Sequence, residues 1–177
     1  MMKNTVVKVL AGVVGLFVVA QLFRPELTNP PSDPSLSITS YRGVPPEVLA
    51  KMESVCFDCH SNQTRWPWYS YITPVNYFIA SDVNSGRRHV NFSEWNNYSP
   101  GRLKSILDNI YDQVYNHEMP LPQYRWMHPE ARLTPAEIKM ICDWAGGEED
   151  RLDQLSEMQS EGYFQQEATL DTTGTKK

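Results

Sequence analysis

Two cysteines and a histidine stand within five residues at Cys56-Phe57-Asp58-Cys59-His60, and no other feature of this sequence narrows the possible folds as far. C-x-x-C-H is the spacing at which a c-type haem is attached. The two thiols are placed to add across two vinyl groups of one porphyrin edge. The imidazole that follows at once is placed beneath the iron as its proximal ligand. Two other uses of such a motif exist. A thioredoxin-like redox pair wants a βαβ context, and half of a zinc site wants a second Cys/His pair at ligand spacing. The sequence offers neither companion, so it implies a domain wrapped around one covalently attached haem.

Residues Val6 to Phe23 form an apolar run broken only by Lys8 and Gln21, with Lys3 ahead of it. Val18-Val19-Ala20 is a passable cleavage site for a secretory signal, but the run continues beyond it. The length is just enough to cross a bilayer. With Lys3 and Lys8 on the cytoplasmic side, everything after Phe23 would be exported. The expectation is a single-pass anchor over residues 1–23, the alternative a cleaved signal that releases the protein to the periplasm. Beyond Phe23 there are 14 basic residues against 21 acidic ones, a net of −7 with histidine neutral. With no basic stripe in view, nucleic acid is not an expected partner.

Residues 24–40 contain Asn29-Pro30-Pro31-Ser32-Asp33-Pro34 and read as an extended linker. Pro45-Pro46-Glu47 opens a helix whose apolar face is Val48, Leu49, Met52 and Val55, leading into Cys56. Residues 62–72 are aromatic and broken by Pro67, as in a loop packed around a porphyrin. Pro74 starts a helix through Ala80 and Val83, and residues 86–98 look irregular. Ser99-Pro100 caps a helix carrying Leu103, Ile106, Leu107, Ile110 and Val114 as far as Asn116. Met119-Pro120-Leu121-Pro122 must be a loop. Thr134-Pro135-Ala136-Glu137 is a capping box, and Ile138, Ile141, Cys142 and Ala145 form the face of the helix that follows. Gly146-Gly147 is expected to end it. The domain proper is thus 41–147, with an acidic polar tail over 148–177 that reads as a short solvated helix and then disorder.

Strand signals are nearly absent, so the fold class is all-α. The order of helix, haem motif, aromatic loop, long helix, proline-bound methionine loop and capped helix resembles a small cytochrome c. The resemblance extends from about Asn29 to Gly147. It rests on Asn29-Pro30-Pro31, on Cys56 to Asn62 running into Arg65-Trp66-Pro67-Trp68-Tyr69-Ser70, on Asn91-Phe92-Ser93-Glu94-Trp95, on Glu118-Met119-Pro120, and on His128-Pro129-Glu130-Ala131-Arg132-Leu133. These stretches are similar to the bacterial haem-binding domain family, which implies an exported or anchored protein with one cytochrome-c-like domain. Cys142 stands where such a helix would ordinarily carry an aliphatic residue. It is the odd one of three cysteines and reads as a buried, inert thiol rather than a redox sensor.

His60 leaves one iron position open. Met119 is the candidate second ligand, a thioether on a loop with Pro120 directly after it. A His/Met pair raises the reduction potential and leaves no site for a substrate. The competitors are His117, His128, His89 and Met127, or an open position. Arg65 and Trp68 are candidates for the haem propionates, whereas Trp66 and Tyr71 read as pocket wall. The expected function is a periplasm-facing monohaem c-type cytochrome passing single electrons between redox partner proteins, rather than an enzyme. The alternatives are a haem-based sensor or ligand-binding module with a displaceable sixth ligand, and a peroxidase with His117 or Glu118 as its distal acid–base group.

Overall fold

A computed structural model describes the backbone of residues 2–173 and the side chains of residues 3–160. Among the described residues there are seven α-helices, a few 3₁₀ turns and no strand. The helices are α1 (Met2–Ala20), α2 (Pro46–Val55), α3 (Phe57–His60), α4 (Val75–His89), α5 (Pro100–Tyr115), α6 (Pro122–Met127) and α7 (Pro135–Thr173). The all-α class expected from the sequence is the observed one. Contacts divide the chain into two compact units. The first joins Met1–Ser40 to Met52–Asn96, and the second joins Tyr41–Lys51 to Asn97–Lys177.

In the first unit none of α1 from Lys3 to Ala20 is buried, and that stretch is long and apolar enough to cross a membrane. Residues 24–33 are extended and lead into a turn and a short 3₁₀ helix (Ile38–Ser40), and the segment is pinned rather than loose. Asn29 Nδ2 donates to the Thr64 carbonyl (2.9 Å), and Asn62 Nδ2 donates to the Pro31 carbonyl (3.1 Å). Ile38 is fully buried, and Asn96 N–H donates to the Leu36 carbonyl at 3.0 Å. Proline-rich backbone carries few amide donors, so its carbonyls are available to neighbouring side chains. α4 runs past Val83, where the sequence pattern weakened, and reaches His89. Its inner face is Asn76, Ala80, Val83 and Gly86, all buried. A line of rings, Phe57 on Phe92 (5.4 Å) and Phe92 on Trp95 (6.0 Å), fills the centre.

In the second unit α5 starts where its cap predicts, with Ser99 Oγ accepting from Arg102 N–H. It packs along α7 around Val114, Ile141 and Cys142. α6 begins at Pro122, so the expected loop is shorter than the proline spacing implied; a proline at a first helical position forfeits no hydrogen bond.

α7 also departs from expectation, because it does not stop at Gly146-Gly147. Each glycine in a helix costs about 1 kcal/mol relative to alanine. Tertiary contacts on both sides offset that cost. Before the glycines, Trp144 Nε1 donates to the Gly43 carbonyl at 2.8 Å. After them, the buried Glu148 carboxylate takes two bonds from Arg151 (2.6 and 2.8 Å) and one from the Tyr41 hydroxyl. Lys104 pairs with Asp153 one turn further on. The segment expected to be a short solvated helix and then disorder is therefore tied down at its start and helical as far as Thr173; residues 174–177 lie outside the described ones.

Candidate functional site

α3 is one helical turn with Cys56 at its N-cap. Amide N–H groups of Cys59 and His60 both bond the Cys56 carbonyl (3.2 and 3.0 Å). Positions i, i+3 and i+4 share a helix face, so the turn gathers Cys56, Cys59 and His60 on one side. Phe57 and Asp58 fall on the other side and are buried. Three chemistry-bearing side chains thus emerge together from a turn whose remaining residues root it in the unit.

The root is polar as well as apolar. Asp58 accepts from Arg65 N–H (3.1 Å), Arg65 Nε (3.0 Å) and Arg65 Nη2 (3.2 Å), which closes the loop after the motif. Thr64 Oγ1 donates to the Asp58 carbonyl at 2.7 Å. The last carbonyls of a helix need donors from outside it. Arg87 supplies one, with Nε on the Ser61 carbonyl (2.8 Å), while its Nη2 reaches Thr64 Oγ1 (2.9 Å) and Asn29 Oδ1 (2.8 Å).

The imidazole of His60 lies 6.0 Å from the Phe92 ring, and its Nδ1 lies 3.2 Å from the Val90 carbonyl. A carbonyl can only accept, so Nδ1 carries the proton and Nε2 keeps its lone pair for a metal. Burial lowers the His60 pKa, which favours the neutral, ligating form. Burial, together with the Asp82 and Asp58 carboxylates, pushes the Cys59 thiol up to about 12.

α4 makes this arrangement possible through Gly86. A Cβ there would lie 2.5 Å from the Cys59 carbonyl oxygen and 3.2 Å from the Cys59 Cβ. Only a glycine lets α4 approach the motif this closely, one turn before the chain delivers the Val90 carbonyl to His60. Gly86, Arg87, Val90 and Asp58 were not singled out by sequence reasoning. One signal was present for Gly86: a glycine inside a helical stretch marks a close backbone approach.

The other candidates are placed as follows. Arg65 is paired with Asp58, its side chain two-thirds exposed, and Trp68 is 72% exposed. Trp66 differs from both, since its Nε1 is buried without an acceptor. Met119 belongs to the second unit, in the turn after α5, and is half-buried; its N–H bonds the Gln113 carbonyl at 3.0 Å. His117 beside it is exposed with φ 59°. His128 pairs with Glu130 (2.9 Å) and stacks on Tyr124, His89 bonds the Ser85 carbonyl at the outer end of α4, and Met127 is half exposed. Cys142 is buried between α5 and α7, where burial raises its pKa, as expected of an inert thiol.

These residues fit a haem. Two thiols one turn apart, a neutral imidazole with an oriented Nε2 and an unsatisfied buried indole donor are what thioether attachment, axial ligation and a propionate respectively require. Among the described residues, no group of three or more His, Cys, Asp or Glu side chains is placed to hold a metal ion on its own. No curated protein and no solved structure matches the chain significantly. Residues 15–147 match the haem-binding domain family, a span that takes in both the pinned proline-rich segment and the motif. The chain therefore belongs to the haem-binding domain family.

Proposed function

We propose that this protein is a membrane-tethered monohaem c-type cytochrome, working on the periplasmic side of the inner membrane and passing single electrons between redox proteins. The observation that carries the reading is the His60 imidazole, held through Nδ1 by the Val90 carbonyl on the same helical turn that carries Cys59 and, at its N-cap, Cys56. When bound, haem supplies one-electron redox chemistry. The chain's own residues attach, ligate and orient. Cys56 and Cys59 would take the thioether links, and His60 Nε2 and the Met119 thioether would be the residues that hold the iron. The Val90 carbonyl fixes the imidazole plane and raises its basicity. Trp66 Nε1 is the propionate donor in this reading, in place of Arg65 and Trp68. α1 is the anchor, with Lys3 and Lys8 on the cytoplasmic side.

Absorption spectroscopy of the purified full-length protein tests the reading. A low-spin spectrum with a sulfur-to-iron charge-transfer band in the oxidised form is expected. A high-spin spectrum that shifts readily with CO or cyanide would instead mean an open iron, hence a sensor or peroxidase. Replacing both cysteines (Cys56→Ser with Cys59→Ser) should abolish haem staining on a denaturing gel. Persistent staining would overturn the attachment.

A further inference from the structure

α4 is built inside out at its start. Its buried face is Asn76, Ala80, Val83 and Gly86, with only Val83 a sizeable apolar group, while Val75 (39%), Tyr77 (47%) and Phe78 (69%) stand exposed. The 3₁₀ turn just before it adds Trp68 at 72% and Tyr71 at 47% exposed. Single exposed apolar residues need no explanation, but five within eleven consecutive positions ask for an occupant.

The occupant is indicated by where the patch is fastened. Gln21, just past the end of α1, forms a reciprocal pair with Thr73: its Nε2 donates to the Thr73 carbonyl (3.1 Å) and its Oε1 accepts from Thr73 N–H (2.9 Å). Thr73 Oγ1 also donates to the Phe23 carbonyl at 3.1 Å. These bonds hold the centre of the patch against the exit of the apolar helix, beside Leu22 (81% exposed) and Phe23 (66% exposed). Tyr and Trp side chains settle at the headgroup level of a bilayer, with an apolar ring inward and a polar tip toward water.

We infer that Trp68, Tyr71, Val75, Tyr77 and Phe78 form a lipid-facing foot, seated in the headgroup layer of the membrane that α1 crosses. The foot rests on the reading of α1 as an anchor. It deepens that reading, because it replaces a tether with a seated domain of defined orientation. Arg24, exposed at the same helix exit, is placed to meet a lipid phosphate.

The test uses the haem-loaded full-length chain with Cys142→Ala, reconstituted in phosphatidylethanolamine/phosphatidylglycerol vesicles. Nitroxide labels are placed singly through Phe78→Cys, through Asn84→Cys further along α4, and through Val13→Cys in α1. Collisions with oxygen, relative to a water-soluble nickel complex, should be severalfold more frequent at 78 than at 84, and most frequent at 13. If 13 is lipid-exposed while 78 matches 84, the foot is refuted and the anchor stands. If 13 is also water-exposed, the anchor reading itself fails. Protection of 78 from both reagents would assign the patch to a second copy of the chain, and a shifted Soret band in the Phe78→Cys protein would assign it to the haem wall; either overturns the inference.

Discussion

Gly86→Ala is a substitution whose sign separates two accounts of the same residue. In an open helix, replacing glycine by alanine stabilises by about 0.8–1.0 kcal/mol, since alanine loses less backbone entropy on folding. At Gly86 the added carbon would lie 2.5 Å from the Cys59 carbonyl oxygen, which is backbone and cannot rotate away. Restoring an ordinary contact requires α4 and α3 to separate by roughly 1 Å. Overpacking of this kind costs about 1–3 kcal/mol. With the propensity gain subtracted, we expect a net loss of up to about 2 kcal/mol. Separation of the two helices also lengthens the 3.2 Å His60–Val90 contact, because Val90 directly follows α4. The assay is urea unfolding of the haem-loaded protein followed at the Soret band. A slope of about 1–3 kcal/mol per molar turns a loss of about 2 kcal/mol into a midpoint lower by roughly 0.7–2 M. Gly146→Ala is the control, since nothing lies within 4 Å of a Cβ there; it should raise stability by about 1 kcal/mol. If Gly86→Ala stabilises as the control does, the close approach of α4 to the motif is not real and the account of the site fails.

Met119→Ala should convert a low-spin iron to high-spin while the haem stays covalently bound; an unchanged spectrum would assign the ligand elsewhere. Glu137 is held at about 2, against an ordinary 4.5, mainly by its hydrogen bond to Lys51 (2.6 Å) and then by the Thr134 capping bonds. A depressed carboxylate stabilises above its unfolded pKa and loses that contribution as pH falls through the folded one. Glu137→Ala should therefore cost about 1 kcal/mol at neutral pH, and denaturation from pH 5 to 2 should show the gap closing. In the native protein Cys142 should react with a maleimide far more slowly than in urea. Cys142→Ser should destabilise by about 1 kcal/mol, because a hydroxyl replaces the thiol among Val114, Ile141 and Ile138 even though the Tyr111 carbonyl that accepts from Cys142 Sγ remains as its acceptor.

What the sequence disclosed was what local rules decide. Ser99-Pro100 and Thr134-Pro135 announced their helices because capping involves residues three apart, and both starts are observed. The C-x-x-C-H spacing pointed to haem, and the helical turn that gathers its three side chains follows from that spacing. The end of α7 was misread because two glycines are a local stop signal, whereas Trp144 to Gly43 and Glu148 to Tyr41 are contacts across about a hundred residues. The supports of the motif were hidden for the same reason. Nothing near Arg87 in the chain reveals that it will close the end of α3 and grip Asn29. Trp66 was read as apolar wall, because its buried indole donor becomes visible only once its neighbours are placed.

The division of the chain also sets a calendar. Chains are made and exported from the N-terminus, and every residue of the first unit precedes Asn97. Asn29, Asp58, Arg65, Gly86, Arg87 and Val90 have all emerged before α5 begins. If haem is attached as proposed, the cysteines and the oriented histidine would be available for thioether formation, complete with their supports, while Met119 is still to come. On the proposed reading, the thioether links would be able to form before Met119 is available as a ligand, because the chain order places it last.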